Sequence, residues 1–158
     1  MIKRGVLLVV IVVFIIVRYT RQEKNNNVNN KVEQLVEFSK SYIGTAYKAG
    51  GTTKRGMDCS GLVTTVFKEF DIKLPRSSEL MSREGLEVNF NEVNKGDLLF
   101  FDITHLQGGI NHVGLVIFVE NNNVMFIHST TSKGVILTSI NELYWKEAFV
   151  KAKRLEFK

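Results

Sequence analysis

Hydrophobic and polar residues recur with different periods in the two halves of the chain. Apolar residues at helical spacing predict an amphipathic helix over residues 32–43 and a second helix from residue 59 onward, and residues 79–85 are typical of a short helix. Beyond residue 96, short apolar runs predict strands at 97–101, 113–119, 124–128, 135–137 and 149–154. Helices followed by hairpin-like strands predict an α+β domain, with the helix near residue 59 packed on an antiparallel sheet.

The N-terminal segment has a different pattern. Lys3 and Arg4 precede an unbroken run of twelve apolar residues from Val6 to Val17. This run is shorter than the roughly 20 residues of a typical membrane span, and its basic start fits the h-region of a signal peptide. Because no small-residue cleavage site follows, residues 1–24 are predicted to be an uncleaved signal anchor in the membrane. A cleaved signal is the alternative.

Residues 25–31 separate this segment from the rest of the chain. They are polar and rich in asparagine, and they predict a flexible tether because such a sequence cannot bury apolar surface. Residues 32–158 contain all the other predicted helices and strands. We therefore expect them to form one globular domain with its own core.

The charge distribution bears on possible partners. The formal net charge is +5, but residues 1–24 hold five basic residues against one acidic residue. The predicted globular domain is therefore nearly neutral, which argues against nucleic acid as a partner. The chain has a single cysteine, which excludes an intramolecular disulfide.

That cysteine, Cys59, lies in the run Asp58-Cys59-Ser60-Gly61, directly at the start of the predicted second helix. The free N–H groups and the dipole of a helix N-terminus stabilise negative charge, so they favour the nucleophilic thiolate and predict a lowered thiol pKa. A buried structural cysteine is the alternative. The polar neighbours Asp58 and Ser60 argue against it.

Two of the three histidines are predicted to be neighbours. His112 stands at the start of one predicted strand, and His128 ends the next strand, across a turn rich in asparagine. A hairpin would bring these two positions together. Together with Cys59 they would form a triad in which Cys59 attacks, His112 accepts its proton and His128 orients the imidazole of His112. His105 stands in a predicted loop without such a partner.

The cysteine and the three histidines also have the ligand types of a structural zinc site. No two of them show the close pairing of usual zinc motifs, so zinc is the less favoured interpretation. We expect neither a metal nor a cofactor.

Six short segments of the chain form an ordered set of motifs: 44–51 (GTAYKAGG), 58–63 (DCSGLV), 74–78 (LPRSS), 96–101 (GDLLFF), 111–116 (NHVGLV) and 127–128 (IH). In this order they resemble the NlpC-type peptidases, the papain-like family that cleaves bacterial cell-wall peptides. The resemblance covers roughly residues 32–153, and it implies a papain-like α+β fold with N-terminal helices and the nucleophile helix packed on an antiparallel sheet. It also implies that Cys59 is the nucleophile, His112 the base and His128 the orienting residue.

The resemblance further implies a substrate and three more site residues. Tyr47 matches a tyrosine that binds substrate or stabilises the oxyanion, and Asp58 and Ser60 match positions that hold the free amine of a short stem peptide. The implied reaction is hydrolysis of peptidoglycan stem peptides or muropeptides in the cell envelope. The bond cleaved would lie between D-glutamate and the diamino acid, and the reaction would pass through a thioester on Cys59.

Each of these roles has an alternative. Asp58 is also a preferred N-cap residue, Tyr47 is also compatible with ordinary packing, and His128 with a structural role. At the level of function, one alternative is an inactive relative that binds wall peptides or a protein partner. Another is an amidase or acyltransferase that uses the same Cys–His chemistry.

Overall fold

The computed structural model describes residues 2–104, 106, 109–121 and 123–157. His105, which the sequence assigns to a loop, lies outside the described residues. The chain divides into two compact units, Met1–Lys31 and Val32–Lys158.

The first helix, α1, extends over Ile2–Lys40. It includes residues 25–31, so the segment predicted as a flexible tether is helical instead. Asparagine costs at most about 0.7 kcal/mol per residue relative to alanine in a helix. Extension of an existing helix tolerates this cost, because propagation is far easier than nucleation.

Among the residues described, no helix combines the length and the apolar character that a membrane span requires. The membrane anchor over residues 1–24 stays a prediction.

The second unit contains the remaining helices and all the strands. They are β1 (Thr52–Thr53), β2 (Gly56–Met57), α2 (Cys59–Lys68), α3 (Ser78–Met81), β3 (Leu86–Val88), a 3₁₀ turn (Phe90–Glu92), β4 (Leu98–Phe101), β5 (His112–Glu120), β6 (Asn123–Thr130), β7 (Gly134–Ser139), α4 (Leu143–Ala148) and β8 (Phe149–Arg154). Strands β3 to β8 form one sheet in the order β3-β8-β4-β5-β6-β7, in which every pair is antiparallel. The predicted α+β class with an antiparallel sheet is confirmed.

The sheet carries two separate apolar clusters. The first joins α2 to β5 and β6 and contains Leu62, Phe67, Leu115 and Ile127, all buried. The second includes Trp145 of α4 together with buried residues of β4, β5 and β6. The helix predicted to carry the nucleophile therefore packs on the sheet that carries both histidines.

Two glycines permit close approaches that position these elements. A Cβ atom at Gly61, in the first turn of α2, would collide with the backbone carbonyl of Gly51. A Cβ atom at Gly114, in β5, would collide with the ring of Phe126. Larger side chains at either position would push apart α2 and its preceding loop, or β5 and the ring that packs on it.

Candidate active site

Cys59 is the first residue of α2, and Asp58 is its N-cap. Asp58 Oδ1 accepts a hydrogen bond of 2.7 Å from the backbone N–H of Gly61. This bond satisfies one of the free N–H groups at the start of the helix. The predicted placement of the cysteine at a helix N-terminus is therefore confirmed.

A charged network surrounds the N-cap. Asp58 Oδ2 accepts hydrogen bonds of 2.7 Å from Gly50 N and from Arg76 Nη2, while Arg76 Nη1 donates to Ser60 Oγ at 2.7 Å. We refer to Asp58, Ser60 and Arg76 as the Asp58 network. Burial alone would raise the pKa of Asp58, but the hydrogen bonds from Arg76, Gly61 and Gly50 outweigh it and lower the pKa below its ordinary value.

These contacts bear on the expected substrate role of Asp58 and Ser60. Both carboxylate oxygens of Asp58 already accept protein hydrogen bonds, so the N-cap role is fulfilled in the structure. Contact with a substrate amine stays a prediction for both residues. The sequence interpretation assigned no role to Arg76. Its position in the matching segment 74–78 was the signal that could have identified it.

His112 and His128 lie side by side, as the hairpin pattern predicted. His112 Nε2 is 2.9 Å from His128 Nδ1, and His128 Nε2 is 2.8 Å from Thr138 Oγ1. The three residues lie on the neighbouring strands β5, β6 and β7. We refer to them as the histidine chain. The sequence interpretation missed Thr138.

The histidine chain is buried among aromatic rings. His112 is 6% exposed and His128 is fully buried. The Trp145 ring centroid lies 5.1 Å from that of His112 and 4.5 Å from that of His128. Burial lowers the pKa of His112 to about 4, and burial together with the charge of His112 lowers the pKa of His128 to about 2. Both imidazoles are therefore neutral at neutral pH.

The pKa of the Cys59 thiol differs from the prediction. Burial raises the pKa of Cys59 above its ordinary value of about 9, and the Asp58 carboxylate raises it further. Backbone hydrogen bonds from Val113, Ser60 and Cys59 itself lower it, but by less. The predicted lowering of the thiol pKa is therefore wrong. Desolvation of the thiol outweighs the effect of the helix N-terminus on its pKa.

Cys59 and His112 line the same cleft, which has a volume of about 350 Å³. Tyr47 lies on its wall, with Tyr144 and Trp145 also part of the lining. A backbone bridge between Tyr47 and Met57 holds the tyrosine near the start of α2. Burial and the charges of Asp58 and Cys59 raise the pKa of Tyr47, although Arg76 opposes them, so its hydroxyl stays protonated and can donate a hydrogen bond.

The arrangement has the groups needed for nucleophilic catalysis. His112 uses Nε2 toward His128, which leaves its Nδ1 as the other ring nitrogen that can accept a proton. Because the thiol pKa is raised and that of the imidazole is lowered, Cys59 and His112 rest as a neutral pair. His112 can then act as a general base when the sulfur attacks.

No group of three or more histidine, cysteine, aspartate or glutamate side chains with metal-binding geometry occurs among the described residues. Cys59, His112 and His128 are accounted for by the cleft and the histidine chain. His105, the remaining ligand considered for zinc, is outside the described part.

Comparison with known proteins identifies relatives. The sequence model of the NlpC/P60 family matches residues 44–154. The probable endopeptidase NlpC homolog of Haemophilus influenzae is 39% identical over 122 residues, which cover 77% of this chain and 61% of that protein. The murein DD-endopeptidase MepS/murein LD-carboxypeptidase of Escherichia coli is 41% identical over 130 residues, which cover 82% of this chain and 65% of the relative. This chain thus spans less than two thirds of the length of both proteins.

Two further comparisons extend these matches. The gamma-D-glutamyl-L-lysine dipeptidyl-peptidase of Bacillus cereus is 30% identical over 134 residues, which cover 84% of this chain and 39% of that protein. The crystal structure of a NlpC/P60 family protein from Bacillus cereus superimposes with a TM-score of 0.69 at 31% identity. That superposition covers 78% of this chain and 39% of the other.

Proposed function

Because this chain belongs to the NlpC/P60 family, we propose that it is a cysteine endopeptidase that hydrolyses peptide bonds in peptidoglycan stem peptides or muropeptides. Cys59 is the nucleophile, His112 the general base and His128 the residue that orients His112. One observation carries the assignment: His112, whose Nε2 lies 2.9 Å from Nδ1 of the buried His128, lines the same cleft as the only cysteine, which stands at a helix N-terminus. A binding module has no need of this combination.

The first half of the reaction forms a thioester. The Cys59 thiol transfers its proton to Nδ1 of His112 as the sulfur attacks the carbonyl carbon of the substrate. The carbonyl oxygen becomes negatively charged, and the backbone N–H groups at the start of α2 are suited to stabilise it. The imidazolium then gives the same proton to the leaving amine, the C–N bond breaks, and the acyl group stays on sulfur.

The second half regenerates the thiol. His112 takes a proton from a water molecule that attacks the thioester carbonyl, and the C–S bond breaks with return of the proton to sulfur. A carboxylic acid leaves the cleft. His128 keeps the imidazole of His112 in position through both halves, because its Nδ1 stays bonded to His112 Nε2.

Three residues near Cys59 contribute to substrate binding in this proposal. Tyr47 supplies a protonated hydroxyl on the cleft wall, suited to donate to a substrate carbonyl or to the oxyanion. Asp58 and Ser60 present their remaining lone pairs to the free amine of a short stem peptide. Their contacts with Arg76 fix both side chains in place before substrate binds.

We assign cleavage to the bond between D-glutamate and the diamino acid. The name of the Bacillus cereus relative, gamma-D-glutamyl-L-lysine dipeptidyl-peptidase, supports this bond. The name of the Escherichia coli relative supports a second candidate, the DD bond of a peptide cross-link. Both substrates lie in the cell envelope, so we place the enzyme there, with residues 1–24 as the proposed signal or membrane anchor.

Mass spectrometry of stem peptides and cross-linked muropeptides after incubation with the full chain tests the proposal. Cys59→Ala is the matched control, and it should give no fragments. His112→Ala should remove nearly all activity, whereas His128→Ala should leave more, because it removes orientation but not the base. Fragment masses distinguish cleavage after D-glutamate from cleavage of the cross-link, and masses increased by an added amine reveal acyl transfer.

Two results would contradict the proposal. Failure of the folded parent to cleave any of these substrates removes the peptidase assignment and favours the inactive, binding relative. Retention of more activity in His112→Ala than in His128→Ala reverses the roles of the two histidines.

A further inference from the structure

The histidine chain ends on a hydroxyl group that the proposed reaction has not used. Thr138 Oγ1 lies 2.8 Å from His128 Nε2, and Thr138 is only 4% exposed. The register of β6 and β7 pairs His128 with Ile136. Since side chains alternate along a strand, Thr138 lies on the same face as Ile136 and diagonal to His128.

We propose that Thr138 is a positioning residue that fixes the tautomers of both histidines by accepting a hydrogen bond from His128 Nε2–H. This proposal rests on the assignment of His112 as the general base. Thr138 is not one of the residues that line the cleft, and its hydrogen bond goes to His128, so it acts through His128.

Donor and acceptor rules allow two arrangements of a neutral chain. In the first, Thr138 accepts from His128 Nε2–H, His128 Nδ1 accepts from His112 Nε2–H, and His112 Nδ1 is left without a proton. In the second, Thr138 donates to His128 Nε2, every bond reverses, and His112 carries its proton on Nδ1. Only the first arrangement leaves a nitrogen that can accept the thiol proton.

The surroundings of Thr138 are compatible with its acceptor role. Thr138 also lines a second cavity of about 220 Å³, together with polar residues that include Lys133 and Glu142. When Thr138 accepts from His128, its own hydroxyl proton needs another acceptor. A cavity with polar walls can supply that acceptor. In the second arrangement, the Thr138 hydroxyl would instead donate its proton to His128 Nε2.

Nitrogen NMR of the full chain, with Thr138→Val and Thr138→Ser, tests the inference directly. Long-range proton–nitrogen correlations identify which ring nitrogen of each histidine carries the proton. In the parent and in Thr138→Ser, we expect His112 and His128 to be protonated on Nε2. In Thr138→Val, which keeps the shape but removes the acceptor, we expect a shift toward the Nδ1–H form of both.

Kinetics on the cleaved peptide gives a second readout. Loss of the acceptor disfavours the tautomer that leaves His112 Nδ1 without a proton, so kcat of Thr138→Val should fall roughly 10- to 100-fold, which corresponds to about 1.4–2.7 kcal/mol. KM should not change, because Thr138 does not reach the substrate, and Thr138→Ser should restore kcat. Ser39→Ala is the matched control, since it removes a buried hydroxyl that donates to Val36 O in α1 and belongs neither to the histidine chain nor to the cleft lining, and it should retain the parent kcat.

The outcomes separate this inference from the proposed function. Nδ1–H tautomers in the parent protein overturn it without any variant, which keeps the test valid if Thr138→Val fails to fold. Parent-like tautomers and kcat in Thr138→Val overturn it as well. A parent that shows the expected tautomers but cleaves nothing contradicts the peptidase assignment and leaves the role of Thr138 in the histidine chain intact.

Discussion

The two sides of the cleft use opposite electrostatics. On the α2 side, the Asp58 network holds a carboxylate and a guanidinium 2.7 Å apart, with the Arg76 side chain 43% exposed. On the sheet side, the histidine chain is neutral and buried, and Trp145 packs against both imidazoles. Cys59 directly follows Asp58 in the chain and lines the same cleft as His112.

The difference follows from what each side must do. Charges are stable at the N-cap of α2, where solvent around the partly exposed Arg76 and the backbone N–H groups that bind Asp58 reduce the cost of desolvation. A proton acceptor works best when it is neutral before the reaction. Burial lowers the pKa of His112, so its ring stays neutral at pH values well below the ordinary imidazole pKa. In the proposed mechanism, the charged side therefore holds the nucleophile in place, and the neutral side moves the proton.

The largest effect expected from this contrast is a loss of stability in mild acid. Unfolding returns His112 and His128 to an ordinary imidazole pKa near 6.5, while their folded pKa values are about 4 and about 2. Between these limits the unfolded chain binds more protons, so stability is full above about pH 6.5 and falls as the pH decreases. From pH 7.5 to 5, each histidine should cost about 2 kcal/mol.

Urea unfolding at pH 7.5 and pH 5 measures this loss. The double variant His112→Gln/His128→Gln is the control, because it removes both titrating rings and should show a much weaker pH dependence. Asp58 does not interfere, since its lowered pKa lies below this window. Equal unfolding midpoints at the two pH values in the parent would show that the histidine chain is not held neutral by burial.

The stability contributed by the charged side should depend on the Asp58 side chain. Asp58→Ala removes the N-cap of α2 and the partner of Arg76, and we expect a loss of about 1–2 kcal/mol in the free energy of unfolding. Asp58→Asn should cost less, because asparagine is also a good N-cap. Urea unfolding at pH 7.5 gives both values.

A surface ion pair provides the comparison for Asp58. Glu79 and Arg83 lie 2.7 Å apart on the surface, and such pairs contribute about 0–1 kcal/mol. Glu79→Gln should therefore have little effect. If Asp58→Ala were no more destabilising than Glu79→Gln, the Asp58 network would be an ordinary surface contact and the contrast between the two sides would fail.

The sequence predicted the parts of this site that depend on local order along the chain. The family, the α+β class and the five main strands are confirmed, and so is the position of Cys59 at the start of α2. The approach of His112 to His128 also followed from the pattern, because a hairpin brings its two ends together whatever the rest of the fold does.

The features that were missed depend on packing between distant segments. Thr138 meets His128 only through the register of β6 with β7, and Trp145 covers both histidines from α4, a helix of six residues that has too few turns to show a period. The shifted pKa of Cys59 has the same origin. Helix position is visible in the sequence, but the amount of solvent removed from the thiol is a property of the whole fold.

The smallest effect expected concerns the thiol at the junction of the two sides, and alkylation measures it. Because Cys59 is the only cysteine, the rate of reaction with iodoacetamide reports on a single thiol. Burial raises its pKa, so the rate in the folded protein should reach half its maximum above pH 9. The guanidinium-unfolded chain is the control, and its curve should lie at lower pH. A folded curve centred below pH 8 would mean that Cys59 and His112 rest as a thiolate–imidazolium pair, so that the sheet side would carry charge before substrate binds.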